Sequence, residues 1–344
     1  MRAETIDRTR RRLIGAAAAL LAAGPAASGP GPAPEEAQTP AHAEDEAPTF
    51  GTIDVDTVDA QRARAVPLRL YWPTQTASDA QVPLVVFSHG IGGSRRGYSY
   101  LGRHWAAQGW ASLHVQHVGS DSALWRGNPF TVVGRLRDAA QEHEAVDRVK
   151  DLRFALDVLT AMPLGAAIDP RRIVVAGHSY GANTALLALG ARVARGDRWL
   201  QFRDPRFAAG VIISAPPFYG EHDLAAVLSP VSVPTLHVTA TQDVIQIPGY
   251  HSGAADRIAV FDAVADPRKL LVVYEGGSHS MFTDRGVTGG VALNPQVKTA
   301  TKELTLAFFR QTFDHDVSAL VSWLAQWQGL LAPEAALRLA GSAG

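Results

Sequence analysis

Ile173-Val174-Val175-Ala176-Gly177-His178-Ser179-Tyr180-Gly181-Ala182-Asn183-Thr184-Ala185-Leu186 passes from one periodicity to another within five residues. Its first four residues are apolar and three are β-branched, the composition of a parallel strand covered on both faces. From Ala182 onward the Ala- and Leu-rich sequence is that of a buried helix. Between the two lies Gly177-His178-Ser179-Tyr180-Gly181, a G-x-S-x-G pattern. A chance match is expected in roughly one chain of this glycine content in ten, so the pattern alone decides little. The strand–turn–helix setting decides more. A sharp turn there exposes the Ser hydroxyl above the sheet, and glycines two positions away on each side let strand and helix approach closely.

Working outward, short β-rich runs alternate with helical ones. Strands are expected at 52–58, 67–72, 84–88, 111–118, 173–176, 209–214, 235–239 and 269–274, and helices at 97–108, 136–160, 182–194, 254–264 and 295–313. This alternation predicts an α/β fold with a mostly parallel central sheet and helices on both faces. A further helix at 315–328 carries Leu320, Trp323, Leu324 and Trp327 at 3–4 spacing, a stripe that packs on the body or, alternatively, meets a partner. Only 20 residues separate Ser214 from Thr235, which leaves no room for a large cap domain.

A Ser hydroxyl is a weak nucleophile near neutral pH and needs a base, oriented by an acid. His279 follows the strand at 269–274 in Gly276-Gly277-Ser278-His279-Ser280, from where its imidazole can return over the turn. Asp243 follows the preceding strand and is the expected acid; its alternative is a turn or cap residue. Two N–H groups are expected to face a developing oxyanion, those of Tyr180 and of Ile91 in Ser88-His89-Gly90-Ile91-Gly92-Gly93. His89 reads as a structural residue that holds this loop. His114 and His117, three apart on a strand, project to opposite faces and read as packing or loop residues, not a shared metal site. Gln141-Glu142-His143-Glu144 reads as a solvated helix face. Trp125, Phe130, Phe218, Tyr219 and Phe282 are expected to line an apolar pocket.

Composition bounds the rest. With 47% hydrophobic and 19% charged residues, the sequence can build a core, and a net charge of −1 gives no field that favours nucleic acid. Cysteine is absent, which removes disulfides, thiol nucleophiles, Cys-based metal sites and a lipidated Cys anchor. No phosphate loop, H-E-x-x-H or dinucleotide fingerprint is present, so neither a metal nor a cofactor is expected. Arg10-Arg11-Arg12 precedes an apolar run from Leu13 to Ala23, the pattern of an export signal of the twin-arginine type. About 11 residues is too short to span a bilayer, so no stable membrane anchor is expected. The expected organisation is a signal and Pro/Ala-rich leader at 1–48, followed by one domain at 49–344. Oligomeric state is not legible.

These residues together resemble a known group. Asp59–Pro67 leading to Leu70-Tyr71-Trp72-Pro73, the Phe87–Gly93 loop, Ala106–Trp110, Gly177–Gly181 and Gly277-Ser278-His279 resemble the platelet-activating-factor acetylhydrolase-like branch of the α/β-hydrolases, which includes predicted dienelactone hydrolases. The resemblance spans about Gly51 to Phe313. It implies a metal-free serine ester hydrolase acting through an acyl-enzyme on small or lipid-like esters, with Ser179, Asp243 and His279 as triad and Ile91 and Tyr180 as oxyanion donors. Dienelactone hydrolases use Cys where Ser179 stands. Bacterial cutinase-like polyester hydrolases share the His279 loop style, but they usually carry an aromatic residue where this chain has Ala215-Pro216-Pro217, and Trp where it has His178. Polyester cleavage, amide cleavage and a catalytically silent binding protein stay open as alternatives.

Overall fold

A computed structural model describes residues 49–75, 80–247, 250–284 and 292–333. The proposed signal and leader at 1–48 lie outside the described residues. Eight strands form one sheet: β1 (Phe50–Val55), β2 (Leu68–Pro73), β3 (Val82–Ser88), β4 (Ala111–Val115), β5 (Ile168–His178), β6 (Ala209–Ile213), β7 (Thr235–Gln242) and β8 (Lys269–Ser278). Their spatial order is β1-β2-β4-β3-β5-β6-β7-β8. β2 runs antiparallel to β1 and to β4, and every other neighbour pair is parallel. The crossing of β3 and β4 reverses the winding direction, so connections run over both faces.

Side-chain alternation along β3 divides the core. Leu84 and Val86 face a cluster with α3 (Glu142–Ala161) and α4 (Tyr180–Leu189), through Leu152, Leu156 and Leu186. Val85 and Phe87 face the other side, where α1 (Ser99–Ala107) and α7 (Leu293–Asp314) contribute Trp105, Leu304 and Phe308. The terminal helix α8 (Ser318–Trp327) lays Leu320 and Trp323 into this second cluster, and Trp323 Nε1 donates to the Ala300 carbonyl at 2.8 Å. Its apolar stripe therefore covers the body. α6 (Ala254–Ala263) closes the far end beside β7 and β8.

Two helical expectations are corrected. The helix at 136–160 is two: α2 (Val132–Ala139) and α3, separated because Gln141 takes an extended conformation (φ −71°, ψ 155°) at the α3 N-terminus. Glu142 and Glu144 then sit in the first turn, where the helix dipole favours them. The helix at 182–194 ends at Leu189, because Gly190 adopts φ 122°; Arg192–Arg195 and Arg198–Gln201 form a hairpin around Gly196. α5 (Leu224–Leu228) is the helix between β6 and β7, and nothing larger stands there.

Burial pushes His114, His178 and His237 down to about 3. In the unfolded chain a histidine titrates near 6.5. Below that pH the unfolded state takes up protons the folded state refuses, so stability is complete above about pH 6.5 and falls as pH falls, by about 1.4 kcal/mol per pH unit for each such residue. At pH 5 the three together amount to about 6 kcal/mol, worth about 10 °C or more of Tm in a domain this size. Melting curves from pH 8 to pH 5 should be level above pH 7 and drop by at least that amount at pH 5, because burial also lowers His89, His104 and His117; a level profile throughout would contradict it.

Candidate active site

β5 stands next to β3 and β6 with Ser88 opposite Gly177 and Ile213 opposite His178. The register brings the turn after β5 and the loop after β3 out at one edge. At that turn Ser179 has φ 56° and ψ −123°, a conformation strained for any residue with a side chain. The crowding explains both glycines. A Cβ on Gly177 would lie 2.1 Å from the Gly181 carbonyl oxygen, and one on Gly181 would lie 2.0 Å from the Ser88 carbonyl oxygen. Ser179 is buried but keeps 6% exposure.

β7 ends at Gln242 and hands over directly to Asp243; β8 ends at Ser278 and hands over to His279. The three residues, spaced across a hundred positions, converge here. His279 Nε2 is 2.8 Å from Ser179 Oγ, and His279 Nδ1 is 2.7 Å from Asp243 Oδ1. A carboxylate at Nδ1 keeps the proton there and leaves Nε2 free to accept from the serine. Asp243 is fully buried and its other oxygen accepts from Thr239 Oγ1 at 2.7 Å. Burial alone would raise its carboxyl, but the hydrogen bond and charge of His279 and the nearby Arg257 guanidinium outweigh burial and hold it well below the usual carboxylate range. Arg257, itself buried, lies 3.6 Å from Asp243 Oδ1.

His178 ties these parts together. Its Nε2–H donates to the His279 carbonyl at 3.0 Å, and its Nδ1 accepts from the Tyr98 hydroxyl at 2.8 Å; that hydroxyl accepts from the Gly90 N–H at 3.3 Å. The loop after β3 is thus linked through one imidazole to the loop that carries His279. A Cβ on Gly90 would lie 3.3 Å from the His178 carbonyl oxygen, so this loop rests against the turn with Ile91 beside it. Tyr180 opens α4 at the same edge. His89 holds its loop, as expected: its Nδ1–H donates to the Gly90 carbonyl at 2.7 Å and its Nε2 accepts from the His117 N–H at 3.1 Å.

A second Ser–His–Asp arrangement lies beneath the first. Ser88 Oγ is 2.9 Å from His117 Nε2, and His117 Nδ1 is 3.1 Å from Asp151 Oδ2. All three side chains are fully buried, and Arg148 Nη2 donates to the Ser88 oxygen at 3.1 Å. No substrate carbonyl reaches a hydroxyl in that position, so exposure separates a nucleophile geometry from a structural one. One sequence reading changes here. His117 is a buried loop residue, as expected, and joins a buried polar network, whereas Glu144 is buried against Arg64 and Ser120 and is not part of a solvated face. The signal was present in α3: charged Glu144, Arg148 and Asp151 occupy the same 3–4 stripe as buried Leu152, Ala155 and Leu159. Arg257 and Tyr98 had no comparable signal, because only folding brings them to the site.

The expected pocket residues do not gather. Phe282 is fully buried in the core beneath His178, with ring centroids 5.9 Å apart, and Phe218 packs into the opposite cluster. Phe130 is 91% exposed and Tyr219 80% exposed, too open to wall a pocket. Trp125 alone meets the site region: it lies against Gly92 and its Nε1 donates to the Gly92 carbonyl at 2.9 Å.

The chain is similar to known proteins in sequence and in fold. Residues 64–128 match the family model "Platelet-activating factor acetylhydrolase, isoform II". Platelet-activating factor acetylhydrolases of the dog Canis lupus familiaris (26% identical, 42% of this chain, 37% of theirs) and the guinea pig Cavia porcellus (22% identical, 62% and 51%) are similar in sequence. The chain spans about a third to a half of the length of these relatives. A ferulic acid esterase from Streptomyces cinnamoneus superposes with a TM-score of 0.59 at 21% identity, over 80% of this chain and 93% of that one. The fold is that of the α/β-hydrolases. The sequence resemblance to the acetylhydrolase branch is supported by the family match over residues 64–128 and by both relatives. No described helix is long and apolar enough to cross a membrane.

Proposed function

We propose that the chain is a serine carboxylic-ester hydrolase. The observation that carries this reading is the unbroken line Ser179 Oγ–His279 Nε2, His279 Nδ1–Asp243 at 2.8 and 2.7 Å, with the imidazole part-exposed. Ser179 Oγ attacks the ester carbonyl as His279 Nε2 takes its proton. Asp243 stabilises the resulting imidazolium. The tetrahedral oxyanion forms opposite the N–H groups of Ile91 and Tyr180. His279 returns the proton to the leaving alcohol, and an acyl group remains on Ser179. Water, deprotonated by His279, then attacks the acyl-enzyme and releases the acid.

Small acyl groups on small or lipid-like alcohols are the proposed substrates. The short segment between β6 and β7 supports an open site, and the similarity to proteins named acetylhydrolases supports a short acyl group. Export by a twin-arginine route, supported by Arg10–Arg12 ahead of the apolar run, is proposed with it. The test is covalent labelling. A fluorophosphonate should add once, on the peptide containing Ser179, and abolish hydrolysis of 4-nitrophenyl acetate; the corresponding anilide should turn over far more slowly. No label, a label elsewhere, or faster cleavage of the anilide would reject an ester hydrolase acting through Ser179.

A further inference from the structure

We infer that Arg148 is the positioning residue that holds the two halves of the oxyanion hole at a fixed separation. This rests on the ester-hydrolase reading above. One donor, Ile91, is on the loop after β3; the other, Tyr180, opens α4. No backbone strand pairing reaches either residue, so their spacing depends on the close contact of the two backbones and on what is packed beneath them.

Arg148 lies beneath both. It projects from α3 and is fully buried. On one side Nη2 donates to the His89 carbonyl, two residues before Ile91, and to Ser88 Oγ at 3.1 Å. Nη1 donates to Ser120 Oγ at 2.7 Å, and the Ser120 carbonyl accepts from the Gly92 N–H at 2.8 Å. The loop is therefore held two residues before Ile91 and at the residue after it. On the other side Nε donates to Thr184 Oγ1 at 3.0 Å, one turn into the helix that Tyr180 opens, and the guanidinium lies 4.5 Å from the centre of the Tyr180 ring.

Only a planar fork of donors meets acceptors on three chain segments while stacking on a ring; an ammonium group cannot do so. The fork is braced from behind. Ser120 Oγ donates to Glu144 at 2.6 Å, Arg64 engages Glu144 and Asp151, and Asp151 engages His117, whose N–H reaches His89. Arg148 touches no position a substrate could occupy, so it acts through the N–H groups it places.

An oxyanion hole counts in the transition state more than in the ground state. Arg148→Lys in the full chain is therefore expected to lower kcat for 4-nitrophenyl acetate about 10- to 100-fold with KM within about threefold. Inhibition by a trifluoromethyl ketone, whose adduct on serine carries the oxyanion, should weaken by the same factor as kcat/KM. Thr184→Val, which removes the Nε acceptor and preserves shape, should show the same pattern at about 3- to 10-fold and keeps the test open where the lysine variant fails to fold. Unchanged kcat in Thr184→Val, or lowered kcat with ketone affinity intact, would overturn the inference. Retained hydrolysis by Ser179→Ala would instead overturn the reading on which it rests.

Discussion

Ser179→Ala is expected to lower kcat for 4-nitrophenyl acetate by about four orders of magnitude or more, while the protein still folds. The size follows from what is lost. Without Oγ there is no acyl-enzyme, and His279 has nothing to deprotonate except water held at random; removal of a triad nucleophile elsewhere costs on this scale, leaving residual catalysis from the oxyanion donors and binding. The change is small in structural terms. Ser179 Oγ makes one hydrogen bond, to His279, and alanine accepts the same backbone at φ 56° with the same strain. Tm should stay within a few degrees. Turnover above one part in a thousand of wild type, with contaminating esterase excluded by the fluorophosphonate label, would reject Ser179 as nucleophile.

Asp243→Asn is expected to be the second largest, and to act twice. An amide next to His279 Nδ1 can donate where the carboxylate only accepts, which favours the wrong imidazole tautomer and removes the charge that stabilises the imidazolium. A fall in kcat of about two to four orders of magnitude is expected, with KM little changed. The second effect is on the fold. Arg257 is buried 3.6 Å from Asp243, and no other carboxylate forms an ion pair with it among the described residues. Neutralising its partner leaves a charge stranded in low dielectric, a cost of about 3–5 kcal/mol. Asp243→Asn should therefore melt well below wild type, in contrast to Ser179→Ala. If Asp243→Asn keeps wild-type kcat, the acid lies elsewhere; if it keeps wild-type Tm with low kcat, Arg257 is not held by this charge.

The two variants separate chemistry from architecture because the site mixes them. Ser179 and His279 stand at the ends of strands, with His279 part-exposed and Ser179 keeping 6% exposure, whereas Asp243, His178, Arg148 and Arg257 are more deeply buried supports. Each support is an ionisable or polar group that would be costly alone and is acceptable because it is hydrogen-bonded or paired.

Local chemistry made much of this legible in advance. A β-branched run ending in Gly-x-Ser-x-Gly and followed by an Ala-Leu helix has few other ways to fold, since the glycines remove the only side chains that would block the turn. The order of strand and helix runs implied a parallel sheet, and a parallel sheet puts the ends of β5, β7 and β8 at one edge. Ser179, Asp243 and His279 were readable as a set for that reason alone. Boundaries were less legible: Leu136–Thr160 has helical composition throughout, and only the α3 N-terminus, with its acidic first turn, breaks it in two.

What the amino-acid sequence determined by itself is therefore the sheet, the strained turn and the three residues at its rim, because each depends on neighbours within a few positions or on strand order. Tertiary structure alone decided which Ser–His–Asp set is exposed, which aromatics are core, and that Arg148 and Arg257 serve the site from beneath. Those outcomes depend on contacts between residues 29 to 100 positions apart, where burial and hydrogen-bond partners are set by packing and leave no periodic trace in the chain.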